Sequence, residues 1–401
     1  MTTERHARAQ EYLTTLCNVQ PNRRTGSTGN REATAFFAEI ARSHGWDIDA
    51  TPFDCLDYVC EGAALTGAGQ AFAVQASPYS LGCDVDAPLV VVSTVEELER
   101  TDGRNKVVLM QGALCAEPLM PKGFVFYNPE HHQRLIALLE SKRPAALVTA
   151  TRSHPALTGA LDPFPLFVDG DFDIPSVYCR ADVGEALAAL QGETVRLTID
   201  ARRVPAQASN VIARRGRSAP QKIVFTAHID AFAGTPGATD NAAGVVVLLL
   251  LAELLAEDGG AHGLELAALN GEDHYSAGGQ MDYLRRYGAE IPGILLAVNM
   301  DGVGYRQGGT AYSLYGASPE LERVTQGVLG RHDGLAQGPA WYSGDHMLFV
   351  QGGAPALALT SERTAELLQT VTHTPADTPE IVDCHILVEL ADALAELVRA
   401  L

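Results

Sequence analysis

Residues 222–244 read KIVFTAHIDAFAGTPGATDNAAG. The run Ile223-Val224-Phe225-Thr226-Ala227 is apolar, strand-length and rich in β-branched and aromatic residues, which predicts a buried strand. It stops at His228-Ile229-Asp230, and a Gly/Pro loop follows. Asp240-Asn241 then precedes Ala242-Ala243-Gly244, which opens a long apolar helix. A strand end and a helix start therefore each present a metal-type ligand to one crevice, where α/β folds bind their ligands.

Outward from this stretch, strand and helix alternate from about 205 to the C-terminus. Strands are expected at Lys222–Ala227, Leu264–Asn270, Gly293–Asn299, Ala311–Tyr315 and Pro355–Thr360. Helices are expected at about 242–257, 277–287, 318–330, 344–351 and 384–400. The last carries Leu387, Leu390, Leu394 and Leu397 on one stripe. This alternation predicts an α/β layer fold. Residues 4–17 and 30–45 read as helices flanking the polar loop Arg23-Arg24-Thr25-Gly26-Ser27-Thr28-Gly29, and 47–66 as one or two strands. Between about 75 and 200 the strand-like runs are short, and Pro, Gly and Asp crowd the loops at 116–123 and 155–175. No tightly spaced ligand pairs occur there, so this segment reads as a non-catalytic insert. The organisation is then 1–70 and 205–401 as one catalytic domain around an insert at 75–200.

A net charge of −20 argues against nucleic acid and anionic membranes as partners. Apolar residues at 46 % fit a globular chain with a large core, yet the longest apolar run, Val245–Ala252, is too short to span a bilayer. The charged N-terminus lacks the apolar core of a signal peptide. Seven cysteines, an odd count without a CxxC pair, fit a reducing compartment, although Cys55 and Cys60 are close enough to pair. A cytoplasmic location is expected; nothing here bears on oligomeric state.

Polar residues with ligand chemistry recur at element ends: His228 and Asp230, Asp240, Glu272-Asp273 after ELAALN, Asp301 after ILLAVNM, and His373 in THTPADT. Each has a bland reading: a hydrogen-bonded strand-end histidine, an Asp-Asn helix cap, a solvated Glu-Asp loop. Together, two imidazoles and three carboxylates (His228, Asp240, Asp273, Asp301, His373) suit Zn²⁺. A shared carboxylate would lower the repulsion between two ions, and a spare one beside a ligand can serve as general base; Glu272-Asp273 supplies one residue for each task.

His-x-Asp, Asp-Asn-x-x-Gly, Gly-Glu-Asp, Asn-x-Asp and His-Thr-x-x-Asp-Thr occur in that order. The ordered set resembles the co-catalytic dizinc aminopeptidases of metallopeptidase family twenty-eight, of the bacterial leucyl aminopeptidase and glutamate carboxypeptidase-like kind. That family also contains glutaminyl cyclases. The resemblance covers roughly 205–380, extends to the N-terminal Arg-Thr-Gly-Ser, and likens the insert to a protease-associated domain. It implies a mixed central sheet with helices on both faces, plus a smaller inserted β-rich α/β domain.

It also implies two Zn²⁺ per chain, other divalent metals being possible. His228 and Asp301 would bind one, Asp273 and His373 the other, and Asp240 both. Glu272 would be the general base, Asp230 would hold the His228 tautomer, and Asp377 would orient His373 similarly. Tyr342, Asp345 and His346 would border the substrate, a peptide with a free N-terminus. The sequence departs from the family pattern in three places: Asp273 replaces Glu, Thr372 replaces a Tyr before the last His, and Gly344 splits Ser-Asp-His. The second and third leave the oxyanion donor open, with Tyr342 or His346 as substitutes. A related dizinc family with a dimerisation insert has a much longer first spacing than the 12 residues between His228 and Asp240, and its insert follows the metal-binding Glu pair. Carboxypeptidase or glutaminyl cyclase activity on the same scaffold, and a non-catalytic binding protein, are the alternatives. A carboxypeptidase would need a cationic pocket, for which Arg285, Arg286 and Arg306 are candidates.

Overall fold

A computed structural model describes residues 2–124, 128–216, 221–257, 260, 262–274 and 278–401. Two compact units divide the chain. One comprises the residues up to Cys55, Ala206–Asp273 and the chain from Gly278; the other comprises Leu56–Pro205 with His274.

The first unit is built on a mixed sheet of β1 (Asp47–Asp49), β2 (Val211–Arg215), β3 (Lys222–His228), β4 (Gly263–Leu269), β5 (Ile294–Met300), β6 (Thr310–Tyr315), β7 (Leu335–Gln337) and β8 (Ala356–Ser361). Their spatial order is β1-β2-β4-β3-β5-β8-β6-β7. The centre, β4-β3-β5-β8, is parallel, while β1, β2 and β6 each pair antiparallel with a neighbour. The chain leaves β3 for β4 on one side and later returns to β5 on the other. The carboxyl end of β3 is therefore a topological switch point, where a crevice opens.

The helices are α1 (Thr2–Cys17), α2 (Thr28–Ser43), α3 (Ala243–Leu254), α4 (Gly279–Tyr287), α5 (Pro319–Leu329), α6 (His346–Gln351), α7 (Thr364–Thr370) and α8 (Cys384–Ala400). Strand periodicity sorts them. Ile223, Phe225 and Ala227 of β3 and Leu296, Val298 and Met300 of β5 join one core with α1, α2, α3 and α8. Residues of opposite parity face the other layer: Glu265, between Leu264 and Leu266, receives the Tyr283 hydroxyl of α4. Ala243–Ala252 of α3 is buried throughout, as expected of a helix apolar on all sides. Gly244 lets α3 approach the sheet, since a Cβ there would lie 2.6 Å from the Met300 carbonyl and 3.0 Å from the Ala227 Cβ.

The expected α/β architecture with a mixed central sheet is the one observed. Sequence reading passed over β2, the three-residue β7, and α7. Val211–Arg215 is short and turns charged at its end, and Thr364–Thr370 buries only Leu367, so neither shows a full period. In the second unit, the strands Pro52–Gly67, Cys83–Val92 and Thr194–Ser209 are longer than their apolar runs, because alternating exposed residues continue the ladder. Its sheet has the order 70–72, 52–67, 194–209, 83–92, 107–110, 146–151, 176–180, 75–76. No described helix is long and apolar enough to cross a membrane.

Glu265 is buried, and Arg214 Nε lies 2.8 Å and Lys222 Nζ 3.0 Å from Oε2. Burial raises its pKa, but the two cations and Tyr283 outweigh that and hold it below the usual carboxylate range. Removing one partner of a buried ion pair strands the others, so Glu265→Ala is expected to cost about 3–5 kcal/mol, measured as a shift of the urea transition. A folded-state pKa below the unfolded one gives stability present above the unfolded pKa. The contribution of Glu265 is thus lost as pH falls into the acid range.

Candidate metal centre

The sequence-predicted ligands converge at the carboxyl ends of the parallel strands. His228 is the last residue of β3, Asp240 sits in the turn Ala238–Ala242 leading into α3, Asp273 follows β4, and Asp301 follows β5. His373 stands beyond α7 in a left-handed backbone conformation, φ +65°. Asp-Asn-x-x-Gly has a local cause. Asn241 Oδ1 accepts the Gly244 N–H at 3.1 Å, and its Nδ2 donates to the Met300 carbonyl at 2.8 Å, tying the start of α3 to the residue before Asp301.

Asp240 is central. Its Oδ1 lies 3.0 Å from His228 Nε2 and its Oδ2 3.2 Å from His373 Nε2. His373 Nε2 is also 3.0 Å from Asp273 Oδ1, and His228 Nε2 is 3.7 Å from Asp301 Oδ1. The donors thus form two groups sharing one carboxylate. Ligand atoms of His228, Asp240 and Asp273 all lie within 4.8 Å of one another. Yet both His228 nitrogens and both Asp273 oxygens are buried without a hydrogen-bond partner among the described residues. Buried polar atoms that close to one another, aimed elsewhere than at each other, are what a cation between them would satisfy.

Electrostatics point the same way. Burial drives Glu272 well above the usual carboxylate range, and Asp301, Asp273 and Asp345 add to it against His228. Burial, with help from Asp240, pushes Asp273 up to about 6. Asp240 is driven well below its usual range, since His228 and His373 overcome its burial. Burial opposes protonation of both imidazoles, but the facing carboxylates win and raise both pKa values well above 6.5. Above pH 6 metal binding must therefore expel the protons of His228 and His373, Asp273 being largely ionised there already. The apparent zinc affinity is expected to rise with pH between 6 and 8, by about two decades per pH unit if two protons leave. Competition with a chromophoric chelator at several pH values measures that slope.

Around these groups two residues make contacts that the sequence did not suggest. Asp377 is engaged beside Asp240. Its carboxylate accepts from the Thr239 N–H and hydroxyl, each at 2.8 Å, and from the Asp240 N–H at 3.0 Å, which sets the central carboxylate. What lies flat on His373 is Phe232, 4.7 Å between centroids at 17°. Asp230 Oδ1 is 3.6 Å from His228 Nδ1, beyond hydrogen-bond range, while its oxygens accept the N–H groups of Gly271 and Asp273 at 3.0 and 3.3 Å. Asp230 thus fixes the backbone of the Glu272-Asp273 loop.

Asp345 is buried. Gln280 Nε2 donates to it at 2.6 Å, and burial pushes its pKa up to about 7, with Asp230 and Asp301 contributing. His346 Nε2 lies 3.0 Å from the Trp341 carbonyl. A carbonyl only accepts, so this nitrogen carries the proton, and burial lowers the pKa and keeps the ring neutral. The remaining Nδ1 is then an acceptor, which removes His346 from the candidates for an oxyanion donor. Tyr342 is 71 % exposed, its ring edge-on to Tyr315 at 5.9 Å. Gln280, Phe232 and Trp341 were invisible in the sequence because nothing about their spacing distinguishes them from core or loop residues.

Two further clusters fail as cation sites. His132 Nδ1 accepts the Met120 N–H at 3.2 Å, so Nε2 carries its proton toward Glu117 and offers no lone pair. In the cluster of His6, Asp383 and His385 the two rings stack on each other at 3.9 Å, and Asp383 is engaged in capping α8.

Residues 210–398 match the model of Peptidase family M28. Among curated proteins the chain is similar to the Probable lipoprotein aminopeptidase LpqL of Mycobacterium tuberculosis, 24 % identical over 292 residues, 70 % of this chain and 54 % of that protein. The chain thus spans about half the length of this relative. Solved structures with the same fold include an aminopeptidase from Aneurinibacillus sp. strain AM-1 (TM-score 0.76, 22 % identity, 98 % of this chain and 93 % of that one). Another is the zinc aminopeptidase BSAP from Bacillus subtilis (0.71, 20 %, 97 % and 94 %). A glutaminyl cyclase from Fimbriiglobus ruber is more distant (0.54, 12 %, 99 % and 95 %).

Proposed function

We propose that this chain is a zinc-dependent aminopeptidase that hydrolyses the N-terminal bond of peptides at a two-metal centre. The observation that carries this reading is the Asp240 carboxylate, which faces a different imidazole with each oxygen. His228 and Asp301 would hold one zinc, His373 and Asp273 the other, and Asp240 would be shared by the two. Bound zinc supplies a Lewis acid for the scissile carbonyl and lowers the pKa of the attacking water.

The chain's own residues do the rest. Glu272 sits among three acidic neighbours, Asp273, Asp301 and Asp345, in a half-buried position, so its carboxylate readily takes the proton of the attacking water. It then returns that proton to the leaving amine. Asp230 holds the Glu272 loop by two backbone hydrogen bonds. Asp301 would place negative charge where a free α-ammonium group is received, and Tyr342 would border the substrate. The test is zinc-loaded protein against a panel of aminoacyl peptides; release of no amino acid from any of them overturns the proposal.

Glutaminyl cyclase chemistry is the second reading, supported by the shared fold, and an N-terminal glutaminyl peptide in the panel separates the two. A carboxypeptidase is disfavoured. Arg285 pairs with Asp282, and Arg286 lies 2.8 Å from Asp49, so two of the three candidate cations are engaged elsewhere and Arg306 is the one left to test. A cytoplasmic location fits the odd count of seven cysteines without a CxxC pair. The mycobacterial relative is called a lipoprotein; cell fractionation decides for this chain.

A further inference from the structure

Arg23 lies far upstream of the segment that matches the metallopeptidase family. It is nevertheless among the largest fully buried side chains, at 2 % exposure. Its guanidinium donates four hydrogen bonds, all to backbone carbonyls: Nε to Ile229 at 3.1 Å, Nη1 to Leu16 at 3.0 Å and to Pro236 at 2.6 Å, and Nη2 to Gly237 at 2.7 Å. Ile229 directly follows His228. Pro236 and Gly237 directly precede the turn that carries Asp240. One planar cation thus grips both ends of the loop joining these two residues.

Within that loop the Thr235 N–H also reaches the Phe232 carbonyl at 3.3 Å. Gly234 and Gly237 are left-handed, at φ +86° and +61°. The Gly237 N–H reaches the Thr235 hydroxyl at 3.0 Å, and a Cβ on Gly237 would lie 2.9 Å from Arg23 Nη2. The same N-terminal segment also reaches the other half of the centre. The Arg23 carbonyl accepts Asn30 Nδ2 at 2.9 Å, and that nitrogen lies 2.6 Å from Asn270 Oδ1, where Thr25 Oγ1 also donates at 3.2 Å. Asn270 directly precedes Gly271-Glu272-Asp273.

We infer that Arg23 is a positioning residue for the metal centre, its fork of donors setting the separation of His228 and Asp240, and that the 23–30 segment is a clamp across both ligand loops. The inference rests on the two-metal reading above. Only a guanidinium fits this role. An ammonium has three donors at one point and cannot span carbonyls that lie on several sides of a planar fork. A supporting residue of this kind acts on affinity and geometry, and outer-shell losses typically weaken metal binding about 10–100-fold.

The test compares the wild type with Arg23→Lys and Arg23→Met, each stripped of metal and checked for folding by far-UV circular dichroism. Zinc affinity is then measured by chelator competition, and the cobalt-substituted proteins give a visible d–d spectrum. The expected result is a folded Arg23→Lys with zinc affinity about 10–100-fold weaker and an altered cobalt spectrum. Its turnover should fall while KM changes little. If Arg23→Met does not fold, Arg23→Lys, which keeps charge and bulk, carries the test. Wild-type zinc affinity and an unchanged cobalt spectrum in a folded Arg23→Lys overturn the inference. A wild type that binds no zinc overturns instead the two-metal reading itself.

Discussion

Glu272→Gln is expected to keep the full metal content of the wild type and to lose turnover by about 10²–10⁴, the usual contribution of a general base. Glutamine has the same shape but no proton affinity in the working range, so only proton transfer is removed. Glu272 is not among the residues that converge on Asp240, and this is why its loss should spare the metals. The loss should fall on kcat rather than KM, the signature of an interaction made only in the transition state. Crowding by Asp273, Asp301 and Asp345 adds to burial in raising the pKa of Glu272. Positive charge between these carboxylates would lower it again, so metal-loaded enzyme should show its acid limb well below that of underloaded enzyme. Steady-state kinetics with metal analysis on the same preparation check both points. A fully active Glu272→Gln would remove Glu272 from the mechanism.

Asp240→Ala should act one step earlier, on the metals themselves. Each Asp240 oxygen faces one imidazole, at 3.0 and 3.2 Å, so truncation takes a donor from both groups at once. Outer-shell changes already cost about 10–100-fold in metal affinity, and a shared ligand should exceed that range. Hydrolysis should be undetectable at zinc concentrations that saturate the wild type. Without metal the same change leaves His228 and His373 without the carboxylate that each faces. Their raised pKa values stabilise the metal-free fold below about pH 6.5, and that stabilisation is lost as pH rises through the folded-state pKa. Metal-free Asp240→Ala should therefore lose more stability than the metal-free wild type at pH 6, and the two should converge at alkaline pH. Thermal unfolding at pH 6 and pH 10 measures this. Unchanged zinc content in Asp240→Ala would contradict the assignment.

Much of this site was legible before any coordinates. Strand runs ending in His or followed by Asp put ligands on one sheet edge, because parallel neighbours align their carboxyl ends. The order of five weak motifs then selected a family. What stayed hidden has a common cause. Arg23, Asn30 and Gln280 act through contacts between residues far apart in sequence, and their local context gives no period or motif. The contacts of Asp377 stayed hidden for a related reason. Its place four residues after His373 suggests a local partner, while the chain turns there so that its carboxylate meets the N–H groups of Thr239 and Asp240. His346 kept its expected place near the site but lost its expected role, because the Trp341 carbonyl dictates which nitrogen holds the proton. The insert was legible only as a change of texture, since its strands alternate in exposure and carry no chemistry-bearing pattern.

The most direct test of the central claim is hydrolysis of a matched pair of substrates by zinc-loaded protein: leucyl-p-nitroanilide with a free amine, and the same compound N-acetylated. The account predicts steady release of p-nitroaniline from the free compound, abolished by metal removal and restored by zinc, with essentially none from the acetylated one. Equal cleavage of both, or of neither in protein carrying its full zinc, would contradict it.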